Sequence, residues 1–156
     1  MVQFNTIEAI DVANWFISKA EKENSQMGLA KLNKLVFYAH GWCLCLYNMP
    51  LVTEHIIAMS WGPSFPSIYE FAGIYGSGPI TSKLGVGSVA DGDPRVPLLE
   101  RIWVVYGSFS AEQLSRLVCE LDGPWFKTIK ENRDRRGATI LDKTLKDYFG
   151  SLAKYH

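Results

Sequence analysis

Residues 29–47 read LAKLNKLVFYAHGWCLCLY, and this stretch decides the fold. Its apolar residues recur at intervals of three and four positions: Leu29, Leu32, Leu35, Val36, Ala39, Cys43 and Leu46. From Leu35 onward the segment is apolar on every side, which is typical of a helix at the centre of a domain. Lys31 and Lys34 mark its only strongly charged side. The pattern predicts a central buried helix over residues 29–47.

Helical spacing recurs on both sides of this segment. It is found in residues 7–24, 66–71, 97–106, 110–121, 124–129 and 141–152. Ser110 and Gln113 have the spacing of a capping box, and Thr6 and either Thr139 or Asp142 are placed to cap the first and last helices. The chain is long enough to bury a substantial core. We therefore predict a mainly α, compact bundle that forms one domain over residues 1–156.

The β content predicted from the sequence is small. Residues 56–61 suit a short strand that Gly62 and Pro63 end. Residues 73–97 are rich in glycine and predict one long surface loop, which leaves room for a second β element within residues 80–90. After the helix that follows this loop, Gly107 is placed to end that helix in the left-handed conformation.

Charge and cysteine usage narrow the functional class. Lysine plus arginine equals aspartate plus glutamate, so no overall field favours a nucleic acid. Three cysteines, an odd number, indicate free thiols in a reducing compartment. The N-terminus lacks a signal-peptide pattern, and the longest apolar run, residues 35–47, is too short for a bilayer. We predict a cytoplasmic protein with no membrane partner.

Two constellations could carry chemistry, and a structural explanation is favoured for both. His40 and Cys43 lie three residues apart on one helix, the spacing of a nucleophile and its base, but both fall in the most apolar segment. Cys45 and Cys119 supply no second ligand pair for a metal ion. We assign no catalytic, metal-binding or cofactor-binding residue and predict that the chain is not an enzyme.

Tryptophans and arginines supply the candidate partner contacts. Trp61 and Trp125 each lie beside a Gly/Pro break, where an indole either seals a corner of the core or binds a partner. The basic segment 127–146 is either a solvated helix end or a docking patch for an acidic protein surface or RNA. We name these candidate partner-binding residues: Trp61, Phe65, Tyr69, Trp125, Arg133, Arg135 and Arg136.

Several motifs occur together in one order. They are DVANWF at 11–16, LNKLVFYAHGW at 32–42, PLVTE at 50–54, MSWGPSFPSIY at 59–69, YGSFSAEQLS at 106–115, GPW at 123–125 and LKDYF at 145–149. Together they resemble the Panacea domain family, also described as SocA-like antitoxins or phage-associated GepA-like proteins. Ser60 stands where that family usually has tyrosine or lysine, and residues 85–97 follow no pattern of the family.

The resemblance implies an antitoxin that neutralises a cognate protein toxin by direct binding. One alternative is a proteolytic adaptor that delivers the toxin or another protein to an ATP-dependent protease. A second alternative is an enzyme that reverses a toxin's modification. Because members of the family pair with unrelated toxins, the resemblance does not identify the partner.

Overall fold

A computed structural model describes residues 3–133 and 137–154. Within these residues the chain forms seven α-helices and three short strands. The helices are α1 (Ala9–Lys22), α2 (Leu29–Tyr47), α3 (Pro66–Ala72), α4 (Val96–Tyr106), α5 (Ala111–Val118), α6 (Pro124–Glu131) and α7 (Asp142–Ala153). The strands are β1 (Ile56–Met59), β2 (Gly62–Ser64) and β3 (Ala138–Ile140), and a 3-10 turn, Gly73–Tyr75, follows α3. The prediction of a mainly α fold with a small β element is confirmed.

Helix α2 lies at the centre of the bundle. It packs against α1, α3, α4, α5, α7 and β2. Residues 32–41 are buried without interruption, because an element covered on every side has no solvent face. The helix begins and ends at the predicted residues and stops at Asn48, whose φ of 56° is left-handed, two residues before Pro50. The central-helix prediction is therefore confirmed at both ends.

Helix α7 crosses α2 at a glycine. A Cβ atom at Gly41 would clash with the ring of the buried Phe149, so only glycine permits this approach. The Phe149 ring centroid lies 5.1 Å from that of Trp42 and 6.0 Å from that of Phe37. Both α2 rings lie within the range for favourable aromatic contacts. The fold thus places the glycine of α2 where the Phe149 ring of α7 approaches its backbone.

The three strands form one antiparallel sheet in the order β2-β1-β3. Ile57 of β1 lies opposite Ser64 of β2 and Thr139 of β3. The predicted single strand over residues 56–61 is wrong at its end, because the chain turns at residues 60–61 and Gly62 begins the second strand. Gly62 has a φ of 124°, which favours glycine after this turn. Strand β3 was not predicted, since three residues are too few to show a period.

The predicted loop after α3 contains no strand among its described residues, so the β element allowed within residues 80–90 is wrong. Instead, the buried amide of Asn14 binds the loop to α1. Asn14 Nδ2 donates to the carbonyl oxygens of Leu84 and Gly87 at 2.6 and 2.5 Å, and its Oδ1 accepts from the Leu84 amide at 2.7 Å. The Asn14 side chain thus pairs backbone groups of the loop that would otherwise need the hydrogen bonds of a neighbouring strand.

The ends of the helices agree with the sequence in part. The Ser110–Gln113 capping box is present. Thr6, Thr139 and Asp142 do not cap; Glu8 and Leu141 precede α1 and α7 without a side-chain bond. Gly107 has a φ of −64°, so it does not end α4 in the left-handed conformation that was predicted. Glycine is required there for another reason, because a Cβ atom would clash with the backbone and ring of Trp103. No described helix combines the length and the apolar character that a bilayer span requires.

Candidate functional site

Trp61 lies on the turn that joins β1 to β2. Two contacts fix the orientation of its side chain. Nε1 donates to Ser64 Oγ at 2.9 Å, and the ring centroid lies 5.5 Å from that of Tyr69. Trp61 nevertheless remains 47% exposed. The turn thus presents a large aromatic ring to solvent in one fixed orientation, with its polar atom already paired.

Tyr69 supports this ring from α3. The phenol is half-buried, and burial raises its pKa, while the neighbouring polar groups of Ser64, Asn33 and Trp61 act in the opposite direction. The first residue of β2, Gly62, packs against the end of α5. A Cβ atom at Gly62 would lie 3.5 Å from Cys119 Sγ. We call Trp61, Tyr69 and the adjoining Cys119 the hairpin surface.

Phe65 does not belong to this surface. Its side chain is fully buried, and its backbone amide donates to Oδ1 of the buried Asn33 at 2.9 Å. The hydrogen bond turns the chain inward between β2 and α3, so Phe65 enters the core while Trp61 stays outside. Phe65 was predicted as a partner contact, and the structure places it out of a partner's reach.

Trp125 lies on α6, beside the same hairpin. Its indole is half-buried, and Nε1 donates to the Met59 carbonyl oxygen at 2.6 Å, which joins α6 to the last residue of β1. The structure therefore brings three of the candidate aromatic residues to one region: Trp61 and Tyr69 as neighbours, and Trp125 as a support of the strand that leads to Trp61.

Of the three candidate arginines, the structure describes Arg133. Arg133 is exposed just after α6 and has a left-handed φ of 56°. Arg135 and Arg136 lie outside the described residues. The structure places Arg133 at a solvated helix end, which agrees with the simpler of the two explanations of the basic segment.

His40 and Cys43 are both occupied in packing. The backbone amides of Leu51 and Val52 donate to His40 Nδ1 at 3.3 and 3.4 Å, and Nε2 donates to Asp142 Oδ1 at 3.0 Å. This hydrogen bond lowers the pKa of Asp142, against the effect of its partial burial. Burial raises the pKa of the Cys43 thiol to about 12, which opposes formation of the nucleophilic thiolate.

Helix α2 also contains a buried lysine that was predicted to lie on its charged side. Lys34 is buried, and its Nζ donates to the Ala30 carbonyl oxygen at 3.2 Å. Burial lowers its pKa. Across residues 3–133 and 137–154, no three His, Cys, Asp or Glu side chains are grouped so that they could hold a metal ion.

Sequence reasoning also missed exposed apolar residues at the end of α5. Leu117 and Leu121 fall at helical spacing, on the same face as Leu114 and Val118, in the helix predicted over residues 110–121. The helix ends at Val118, so Leu121 falls outside its periodic face, and both leucines are exposed. No signal in the sequence marks this end, because the next glycine, Gly123, lies five residues further on.

Comparison with known proteins gives two matches. The family model described as "Antitoxin SocA-like, Panacea domain" matches residues 32–85, which contain most of α2, the hairpin and α3. The Antitoxin SocA of Caulobacter vibrioides (strain NA1000 / CB15N) is 28% identical over 157 aligned positions, which cover 92% of this chain and 83% of that protein. No solved structure matches the chain significantly. The chain is therefore similar to the SocA-like Panacea domain over residues 32–85 and to one SocA antitoxin over most of its length.

Proposed function

We propose that this chain is an antitoxin that neutralises a cognate protein toxin by direct binding in the cytoplasm, with residues 1–156 acting as one binding domain. The similarity to a protein named Antitoxin SocA supports the antitoxin role. The observation that carries direct binding is Trp61, a tryptophan about half exposed and held in one orientation at the hairpin turn.

An indole in this state suits the centre of an interface. Tryptophan is among the residues that contribute most to binding between proteins, through the apolar area that it buries. Because Ser64 and Tyr69 already hold the ring, a partner need not order it on binding. The Trp61 N–H has an acceptor within the chain, so covering it leaves no donor unpaired. Both features lower the free-energy cost of association.

The charged end of α6 completes the proposed contact. Arg133 is exposed, and we assign Arg133, Arg135 and Arg136 to the polar rim of the interface. Charges at a rim chiefly increase the association rate, and salt screens them. We therefore expect salt to slow association with the toxin while the complex, once formed, dissociates at nearly the same rate.

Binding accounts for the described residues better than catalysis does. Both ring nitrogens of His40 are engaged with the backbone and with Asp142, and the thiol of Cys43 is buried. Neither group is placed to reach a substrate from solvent. The proposal therefore assigns no catalytic residue to the chain.

The test is co-expression with the product of the adjacent gene, followed by co-purification and titration of the two purified proteins. We expect rescue of growth, a stable complex and neutralisation that requires stoichiometric amounts. Trp61→Ala should weaken the complex by about 2 kcal/mol or more while changing the free energy of unfolding little. Phe71→Ala is the matched control, since Phe71 is a 45% exposed aromatic residue outside the hairpin surface.

The outcome separates the alternatives. Rescue without a complex would contradict direct binding, and rescue by far less than one equivalent would indicate an enzyme that reverses a toxin's modification. If rescue requires an ATP-dependent protease and the toxin disappears only in its presence, the chain is a proteolytic adaptor.

A further inference from the structure

A second apolar surface lies between α2 and α4. It is a groove of about 640 Å³ that is lined chiefly by Trp42, Leu46, Leu98, Arg101, Ile102 and Val105. The α4 residues among these occupy positions i, i+3, i+4 and i+7, so they form one face of that helix. Seven residues of α-helix extend about 10 Å. The groove therefore runs along two turns of α4.

The rim of this groove is apolar and uncovered within the described part of the chain. Leu46 is 59% exposed and Val105 is 49% exposed, although both side chains are large and apolar. They face the groove from different helices. Exposed apolar residues that are grouped around a concavity, unlike isolated ones, are typical of a binding surface.

The floor of the groove is rigid, and its indole donor is paired. Trp42 Nε1 donates to the Tyr106 hydroxyl at 2.9 Å, and the Tyr106 ring stacks on the buried Tyr38 at a centroid distance of 4.0 Å. The Trp42 N–H therefore has an acceptor within the chain and needs none from a partner. A preformed floor reduces the entropy that binding must remove.

Arg101 is the charged residue among those that line the groove. Its side chain is exposed, and no described residue forms a hydrogen bond or an ion pair with the guanidinium. The adjacent Glu100 is ion-paired with Lys19 at 3.1 Å and faces another helix. Ala153 borders the groove, and the exposed Lys154 follows it. The charge at this surface is positive, although the whole chain is neutral.

We infer that this groove binds an amphipathic helix of the toxin, and that a carboxylate on that helix pairs with Arg101. The inference rests on the proposed function and deepens it. Two neighbouring helices with an apolar groove between them accept a third helix through side chains at i, i+3, i+4 and i+7. The unpaired guanidinium sets the chemistry of the partner, because it can take both oxygens of one carboxylate.

The test measures the affinity of the purified chain for the product of the adjacent gene by calorimetry. Val105→Asp places a second charge on the apolar rim, and Arg101→Glu reverses the charge that the partner is inferred to contact. Each should weaken the complex by roughly thirtyfold, which is typical of a residue central to an interface. Val104→Asp and Arg116→Glu are matched controls, since both residues are exposed and neither lines the groove.

A charge swap identifies the partner group. Acidic residues on the surface helices of the adjacent-gene product are replaced in turn by arginine and titrated against the Arg101→Glu chain. Recovery of affinity by one of them supports the pairing, whereas recovery by none overturns it. Circular dichroism and thermal unfolding establish that each variant is folded before its affinity is compared.

The remaining outcomes separate the inference from the proposed function. If wild type binds and the Val105→Asp and Arg101→Glu chains bind equally well, the groove assignment is wrong and the antitoxin proposal stands. If wild type does not bind, the proposed function is wrong and the inference is overturned with it. If wild type self-associates and Val105→Asp makes it monomeric, the groove belongs to a second copy of this chain, which also overturns the inference.

Discussion

His40 Nε2 donates a hydrogen bond to Asp142 Oδ1 at 3.0 Å and joins the middle of α2 to the first turn of α7. The other ring nitrogen of His40 accepts from the amides of Leu51 and Val52. One imidazole therefore connects three parts of the chain that are distant in sequence. A histidine bonded to an aspartate also occurs in catalytic triads, but here the buried His40 holds α2, α7 and residues 51–52 together.

Replacement of His40 should destabilise the fold. In His40→Ala the amides of Leu51 and Val52 lose their acceptor and a cavity remains, so we expect the free energy of unfolding to fall by about 3 kcal/mol. Urea denaturation at pH 7 measures the change. His55→Ala serves as a control of the same residue type on the surface, where we expect a change within about 0.5 kcal/mol. Equal losses in the two variants would contradict the structural role of His40.

Asp142 should make stability depend on acid pH. The hydrogen bond from His40 lowers the pKa of Asp142 in the folded protein, so the unfolded chain binds more protons. The contribution is therefore fully present above the ordinary aspartate pKa of about 4 and is lost as pH falls through the lowered folded-state value. Because the side chain is 57% exposed, solvent screens the effect and keeps it small.

The measurement compares wild type with Asp142→Asn in urea at pH 7 and at several values below about pH 4. We expect the stability difference between the two proteins to shrink as the pH falls. Asp147→Asn is the control, since Asp147 forms an exposed ion pair with Lys143 on the same helix. A stability difference that stays constant at every pH would contradict the assigned role of Asp142.

Asn14 should control the order of the long loop. Asn14→Ala removes three hydrogen bonds of a buried amide and leaves groups of Leu84 and Gly87 without partners, so we expect a loss of about 3 kcal/mol. Hydrogen exchange of the Leu84 amide should accelerate, and proteases should cut the loop sooner. Glu21→Ala on the exposed side of the same helix should do neither. Unchanged exchange at Leu84 would show that other contacts hold the loop.

The crossing of α2 and α7 should tolerate no side chain at Gly41. Gly41→Ala drives a methyl group into the Phe149 ring and should cost about 1 to 3 kcal/mol or more. Gly150→Ala on α7 meets no atom within 4 Å and should stabilise that helix by up to about 1 kcal/mol. The double variant Gly41→Ala/Phe149→Leu should recover part of the loss. Thermal unfolding measures all four proteins, and absence of recovery would contradict the direct clash.

Cys43 should be inert toward alkylation in the native protein. Its thiol is buried, and with a pKa of about 12 it carries little thiolate at pH 8. We expect iodoacetamide to spare Cys43 in native buffer and to modify all three cysteines in urea, as mass spectrometry of peptides would show. Rapid modification of native Cys43 would reopen the enzyme hypothesis, and Cys43→Ala should retain full neutralisation of the toxin.

Local pattern determined most of the helical architecture. Residues 29–47 have apolar residues at helical spacing, and from Leu35 onward they are apolar on every side. A segment with that pattern is stable only when it is covered on all sides, so the sequence by itself specified the central helix and both of its ends. The Ser110–Gln113 capping box was specified in the same way, because its two partners lie three residues apart. Strand β3 was not, since its stability comes from pairing with β1 and not from its own three residues.

Tertiary structure decided which of the candidate residues are exposed. Trp61 and Phe65 are aromatic residues four positions apart in the same motif, and nothing in the sequence indicates which of them is exposed. Asn33, on a different element, accepts a hydrogen bond from the Phe65 amide and turns that residue inward, while the hairpin turn leaves Trp61 outside. The groove beside Arg101 likewise exists only because α2 and α4 pack side by side. Exposure depends on contacts between residues distant in sequence, and local periodicity carries no information about them.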